Sequence, residues 1–285
     1  MKIIVEDGGL LKLATAADPF AGRTEVLLAN GAQLDPGAGR TLTSALLKYD
    51  GVIVANNRYQ KIGGADPTAE PVAWMAGDAV LAVDGKIAYW KQAVDGTWDD
   101  ETKWAPATPA SDIAVNLTAE GASYTVTVDE TPARPTGLIV INESADETST
   151  LKVAAPMTVD VTAAKPLNVG TGGRIEVAEG GALTFAASSL QTDALNVRNG
   201  GELEVAGGSM GITYLPGSFN ISGVEGQEGL LKISSGTCTV TSVSSVGKFL
   251  LGEYGRLVMT NGVFYSECVS GRDWRTDKNW NKEIQ

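Results

Sequence analysis

The apolar and polar positions are patterned most clearly between about Leu167 and Phe264, where one short phrase is written four times. The copies run Gly173–Gly180, Gly201–Gly208, Gly229–Gly236 and Gly255–Gly262 and share Gly-x-[Ile/Leu]-x-[Val/Ile/Met]-x-x-Gly. Successive copies begin 28, 28 and 26 residues apart, a period that marks a repeat architecture. Two residues after the leading glycine stand Ile175, Leu203, Leu231 and Leu257, and four after it stand Val177, Val205, Ile233 and Met259. The positions between them hold Arg174, Glu202, Leu230 and Arg256, then Glu176, Glu204, Lys232 and Val258. Apolar columns alternating with mostly charged ones have the parity of a strand with one face inward.

A single such coil has no second surface to bury against, whereas coils stacked at roughly 4.8 Å turn each apolar column into a continuous ladder. Each buried aliphatic side chain then contributes about 1.5–3 kcal/mol. On the outside Arg174 falls beside Glu202 and Glu204 beside Lys232, exposed pairs worth about 0–1 kcal/mol each. The glycines at 180, 208, 236 and 262 close each strand at a corner, where glycine takes φ > 0 without a Cβ clash. Nine residues after the leading glycine come Ala182, Met210, Cys238 and Phe264, again apolar, so Cys238 reads as a core thiol. Cys268 belongs to another column, and a disulfide between the two requires an irregular corner.

Upstream of this core the pattern is also extended. Residues 123–129 alternate strictly, Leu138–Ile141 is a buried-strand run, and Leu151–Val153 and Met157–Val161 follow. Pro132, Pro135, Pro156 and Pro166 lie between runs, as strands require. Residues 1–95 hold short apolar pieces punctuated by glycine, with Gly9-x-Leu11-x-Leu13 and Gly51-x-Ile53 as faint echoes of the later phrase that keep no fixed period. Thr41–Lys48 fits either a short helix or a strand ending at Tyr49–Gly51, and Asp66–Pro67 with Glu70–Pro71 marks a loop.

A segment of different character, 96–115, separates the two regions; with the residues just before it, it brings together Tyr89, Trp90, Trp98 and Trp104, the carboxylates Asp99, Asp100 and Glu101, and two prolines. Trp98 and Trp104 form a Trp-x5-Trp pair that returns at Trp274 and Trp280, so 269–285 reads as the opening of a second unit. The four aromatic residues suit a glycan-stacking platform, but their position ahead of the repeats favours a cover over the open end of the apolar core. The three carboxylates are hard oxygen ligands of the kind calcium takes, although the spaced acidic nonapeptide of calcium-binding β-rolls is missing, which favours a solvated loop.

Composition narrows the chemistry. The 285 residues are 43% hydrophobic and 20% charged, with 34 Asp and Glu against 22 Lys and Arg and a net charge of -12. Without a Lys/Arg-dense run, a phosphate backbone or an anionic membrane face is a poor partner. Histidine is absent, which removes Ser-His-Asp and Cys-His nucleophile systems and His-based metal sites. Two cysteines are too few for a closed thiolate site, and no run reaches the ~18 apolar residues of a membrane span. The start, Met1–Gly9, offers three consecutive apolar residues and not a secretion signal, which leaves a trimmed form, a part of something larger that is exported, or a protein that is not secreted.

With these residues in view, the chain resembles the autotransporter-associated β-strand repeats and related right-handed parallel β-helix modules of large bacterial surface and secreted proteins. The likeness rests on Trp98 to Asp112, on Asn279–Trp280 and on the Gly-led phrases, and covers residues 96–285. It implies a long extracellular or cell-surface stalk or passenger, usually without catalysis, although with neither an export signal nor an outer-membrane barrel in view autotransport itself is not expected; no cofactor and no membrane insertion are expected, and the expected partners are glycans or other cell-surface components. The expectation is therefore an all-β protein: a β-rich region at 1–95, continuing the solenoid or capping it, the lead-in at 96–115, and a right-handed parallel β-helix at 116–268 with coils of about 26–28 residues, each led by a structural glycine at Gly173, Gly201, Gly229 and Gly255. Its expected role is a structural or adhesive module. Two other classes remain open. One is a β-helix polysaccharide lyase or glycosidase, for which neighbouring-coil carboxylates such as Glu176 and Glu204 supply the spacing almost automatically and no catalytic residue stands out. The other is a phage-type fibre, which forms a trimer.

Overall fold

The alternation read above becomes strands wherever an apolar i, i+2 set can reach a neighbour, and strands make up 59% of the structure, a β-solenoid of about 9 turns. This is a computed structural model; it describes residues 2–13, 24–37, 41–142, 146–161, 166–187, 195–212, 218–241 and 248–266. No α-helix occurs among them; a 3-10 turn spans Glu101–Lys103. The chain divides into two compact units, one of Met1–Lys91 with Trp104–Thr108, the other of Gln92–Lys103 with the chain from Pro109 onward. The lead-in segment thus contributes residues to both.

In the second unit the coils lay strands on three faces, the third beginning only with the strand Pro156–Val161. The first face stacks Ala114–Leu117, Leu138–Val140, Leu167–Val169, Leu195–Arg198, Ser218–Ser222 and Lys248–Leu251, all parallel. The second stacks Gly96–Thr97, Tyr124–Val128, Ser149–Val153 and Gly173–Ala178, then the leading halves of Glu202–Ile212, Gly229–Val240 and Gly255–Ser266. The third holds Pro156–Val161, Ala182–Ala187 and the trailing halves of the same three long strands.

The repeat register is the one the phrases set. Ile175 sits opposite Leu203, Leu203 opposite Leu231 and Leu231 opposite Leu257, with Val177, Val205, Ile233 and Met259 in the next inward column. In both columns the first three members are fully buried and the fourth is half-buried. Coils before the phrase are shorter, Thr125 lying opposite Thr150 and Thr150 opposite Arg174, which is why they keep the strand parity but not the period.

The corner glycines do two different jobs. Gly173 and Gly255 need room rather than φ: a Cβ there would stand 1.9 Å from the Val140 carbonyl oxygen and 2.0 Å from that of Ile221. Gly180 and Gly236, by contrast, take φ of 82° and 88°. In the second copy the positive φ falls on Gly207, a shift that accompanies a bulge between Val205 and Ala206. That irregularity corrects one column. Ala182 pairs with Ser209, and it is Leu183 that stands opposite Met210, Cys238 and Phe264, because the first copy turns its corner at residues 179–181 before the next strand begins. Cys238 is fully buried as expected, while Cys268 lies outside the described residues, as do Trp274 and Trp280.

The first unit begins in the same manner. Lys2–Val5, Glu25–Leu28 and Leu46–Tyr49 are parallel, with Lys2 opposite Glu25 and Glu25 opposite Leu46, and Leu10–Lys12 lies parallel to Gln33–Asp35. Thr41–Lys48 resolves into strands, Thr41–Ser44 and Leu46–Tyr49, not a helix. The echo at Gly51 is a hairpin: Asp50 and Gly51 take φ of 49° and 77°, and Val52–Ile53 returns antiparallel to Leu46–Tyr49. Glu70–Val72 is a strand rather than loop, and pairs with Asn57–Lys61, which runs antiparallel to Val80–Val83. Val26, Leu28, Leu34, Leu42, Leu47, Tyr59, Trp74 and Leu81 form the core of this unit.

Candidate functional site

The aromatic residues of the lead-in are spent inside the protein. Trp90 lies opposite Trp104 in an antiparallel pair, and their rings meet edge to face at 4.9 Å and 77°. Both are buried, as is Trp98 in the second unit; Tyr89 is half-buried. Stacking on a sugar requires an open ring face, and these three indoles offer none. The carboxylates beside them divide. Asp99 and Glu101 are exposed, while Asp100 caps the 3-10 turn, its Oδ1 accepting from the Thr102 amide at 3.0 Å and the Thr102 hydroxyl at 2.5 Å. Among the described residues no group of three or more acidic or cysteine side chains is placed to hold a metal ion.

Charge is instead gathered on the outer side of the second face, where the strand centred on Glu204 lies between those of Arg174 and Lys232. Strand parity puts Arg174, Glu176, Glu202, Glu204 and Lys232 outward, and the stacking sets Arg174 opposite Glu202 and Lys232 opposite Glu204, while Glu176 faces Glu204 as like beside like. Lys232 Nζ reaches Glu204 Oε1 at 2.9 Å, and Arg174 Nη2 bonds Glu204 Oε2 from the other side. Arg174 also approaches Glu176 at 3.2 Å and Glu202 at 3.8 Å, and the Ser234 hydroxyl donates to Glu204 Oε1. Covered from both sides, the Glu204 side chain is only 6% exposed, against about a third for its two cations.

Burial alone would raise the Glu204 pKa; hydrogen bonds from Ser234, Lys232 and Arg174, with the Lys232 charge, outweigh it and hold the carboxyl below the usual range. Glu204 is therefore ionised at neutral pH with both oxygens engaged, a poor general acid and a good tie between three coils. The sequence anticipated the Arg174–Glu202 and Glu204–Lys232 neighbours as exposed pairs. It missed that Glu204 also collects Arg174 and Ser234 diagonally, a convergence visible only once the coils are stacked. Burial alone pushes the Cys238 thiol up to about 12, which keeps it protonated and inert.

No helix among the described residues is long and apolar enough to cross a membrane. Compared with known proteins, the chain matches no family model, no curated protein and no solved structure.

Proposed function

We propose that this chain is a non-catalytic structural or adhesive β-solenoid module of a secreted or cell-surface protein, of the autotransporter-associated repeat type. The observation that carries the reading is the commitment of its polar chemistry to the stack itself: Glu204, Arg174, Lys232 and Ser234 bind one coil to the next, and the lead-in indoles are packed away. A groove-type lyase or glycosidase needs a free base or a proton-bearing carboxylate. Here the best-placed carboxylate of neighbouring coils is neutralised on both sides. Ligands of such a module are read by the outer faces, with glycans and other cell-surface components as the partner class. The test exposes purified chain to a panel of acidic and neutral polysaccharides, with unsaturated uronate and new reducing ends as readouts, beside a glycan array. No product at any polysaccharide is expected, and turnover of any one overturns the reading.

A further inference from the structure

The dipeptide Asn-Gly occurs three times in the chain, at Asn30–Gly31, Asn199–Gly200 and Asn261–Gly262. It carries a chemistry of its own. The backbone nitrogen that follows an asparagine can attack the side-chain Cγ and expel ammonia, and glycine, with no Cβ to obstruct the approach, supplies that nitrogen most readily. The attack needs an N–H free to give up its proton and a peptide plane free to turn about the Asn Cα–C bond. The dipeptide is the same at all three places, so the fold decides which of them meets both conditions.

At Asn199 the peptide is tied on both sides. The Gly200 amide donates to the Glu228 carbonyl at 3.0 Å, and the Asn199 carbonyl accepts from the Thr171 hydroxyl at 3.0 Å. Asn199 itself sits at φ 51° with its own amide on the Ser222 carbonyl. Asn261 and Gly262 lie inside the strand Gly255–Ser266, opposite Ser235 and Gly236, and a Cβ on Gly262 would stand 2.0 Å from a methyl carbon of Ile233. Turning that peptide means leaving the ladder.

Asn30–Gly31 is held far less. It forms the corner between Glu25–Leu28 and Gln33–Asp35, a turn closed by the Ala32 amide on the Ala29 carbonyl at 3.0 Å, with Gly31 at φ 72°. Among the described residues neither the Asn30 nor the Gly31 amide has an acceptor, and the Asn30 carbonyl receives one long bond, from the Gly8 amide at 3.4 Å. Both residues are exposed, so water reaches the side-chain amide and the Gly31 nitrogen.

We propose that Asn30 is a site of spontaneous deamidation in the folded protein, set apart from Asn199 and Asn261 by the fold. The Gly31 nitrogen gives its proton to solvent and bonds to Asn30 Cγ, the bond from Cγ to the side-chain nitrogen breaks, and ammonia leaves. The ring so formed is a succinimide. One water opens it, at the side-chain carbonyl to give aspartate or at the main-chain carbonyl to give isoaspartate, so the net change is water in and ammonia out. The aspartyl form repeats the Asp7–Gly8 corner of the preceding coil, where Gly8 takes φ of 66°. It also adds a carboxylate near Asp7, whose Oδ1 lies 3.6 Å from where a Gly31 Cβ would stand. The isoaspartyl form lengthens the corner by one main-chain carbon. Either product is one charge more negative than the present -12. The inference goes beyond the structural role proposed above and does not depend on it.

The experiment incubates the full chain in mildly alkaline buffer, once folded and once in urea, with circular dichroism to confirm each state. Peptide mass mapping follows all three Asn-Gly sites, with fragmentation that separates aspartate from isoaspartate. Attack at Asn199 must first free a backbone hydrogen bond, so Asn30 is expected to convert roughly tenfold faster in the folded chain. In urea the three rates are expected to come together. The deciding quantity is the rate at Asn30 relative to Asn199 and Asn261 in buffer, divided by the same ratio in urea. A quotient above one for both carries the proposal. A quotient of one or less for either overturns it, as does an Asn30 that stays intact in the folded chain while the urea sample converts. Conversion to aspartate without isoaspartate overturns it too, because direct hydrolysis of the side chain passes through no ring.

Discussion

Val205→Asp puts a charge into the centre of an inward column. Val205 is fully buried between Val177 and Ile233, so its replacement forfeits about 1.5–3 kcal/mol of apolar burial. Among the described residues the column neighbours are the buried aliphatics Val177 and Ile233, so the new carboxyl must take up a proton to stay inside. Drawing that proton at neutral pH from a group with an ordinary pKa of about 3.9 costs about 4 kcal/mol. The two contributions together reach about 6–7 kcal/mol, a large part of the roughly 5–15 kcal/mol that holds a domain folded. Near about pH 4 the protonation cost nearly vanishes and the deficit falls to roughly 2–3 kcal/mol. Urea denaturation of parent and variant at both pH values, followed by circular dichroism, gives the difference of differences. Leu230→Asp is the control, an outward position on the next strand between Glu202 and Arg256, expected to shift stability by about 1 kcal/mol or less. A Val205→Asp deficit that is absent, or equal at the two pH values, refutes the inward assignment of this column.

Further outcomes follow from the charge cluster, the corners and the thiol. Glu204 has a folded pKa below its unfolded value, so its contribution is complete above about pH 4.3 and is lost as pH falls through the lowered folded value. Glu204→Gln is expected to cost about 1–3 kcal/mol at neutral pH and to flatten the acid limb of the stability–pH curve; an unchanged acid limb would show that the cluster does not tie the coils. Gly255→Ala drives a Cβ to 2.0 Å from the Ile221 carbonyl oxygen and is expected to destabilise by about 1–3 kcal/mol. Gly211→Ala meets nothing nearer than the Thr184 hydroxyl at 3.9 Å and is expected to be neutral or stabilising by up to about 1 kcal/mol, so equal thermal shifts for the two would contradict the corner geometry. Cys238 is expected to resist alkylation in the folded protein and to react only above the denaturation midpoint, read by mass spectrometry of the peptide that carries it.

Of the fold, the sequence alone determined what depends on parity and period. A strand's side chains alternate with a period of two, so an apolar i, i+2 pair separates inside from outside without knowledge of any neighbour. A phrase that returns after 28, 28 and 26 residues also names its neighbour, and Ile175, Leu203, Leu231 and Leu257 were readable as one ladder for that reason. Where the period lapses the sequence lost its hold. The hairpin at Asp50–Gly51 imitates the start of a coil, and the strand at Glu70–Val72 hides behind a proline. A single extra residue at a corner moved Leu183 into the column assigned to Ala182.

Only the tertiary structure decided what the polar residues do, because that depends on diagonals and on enclosure, to which a linear register is blind. Glu204 reads as one more outward charge until Arg174, Lys232 and Ser234 close over it from the adjoining coils. The lead-in tryptophans leave a sugar platform open beside the favoured cover until their rings are found buried. Periodicity tells which way a side chain points; what it meets there is set by strands that lie twenty to thirty residues away in sequence and one coil away in space.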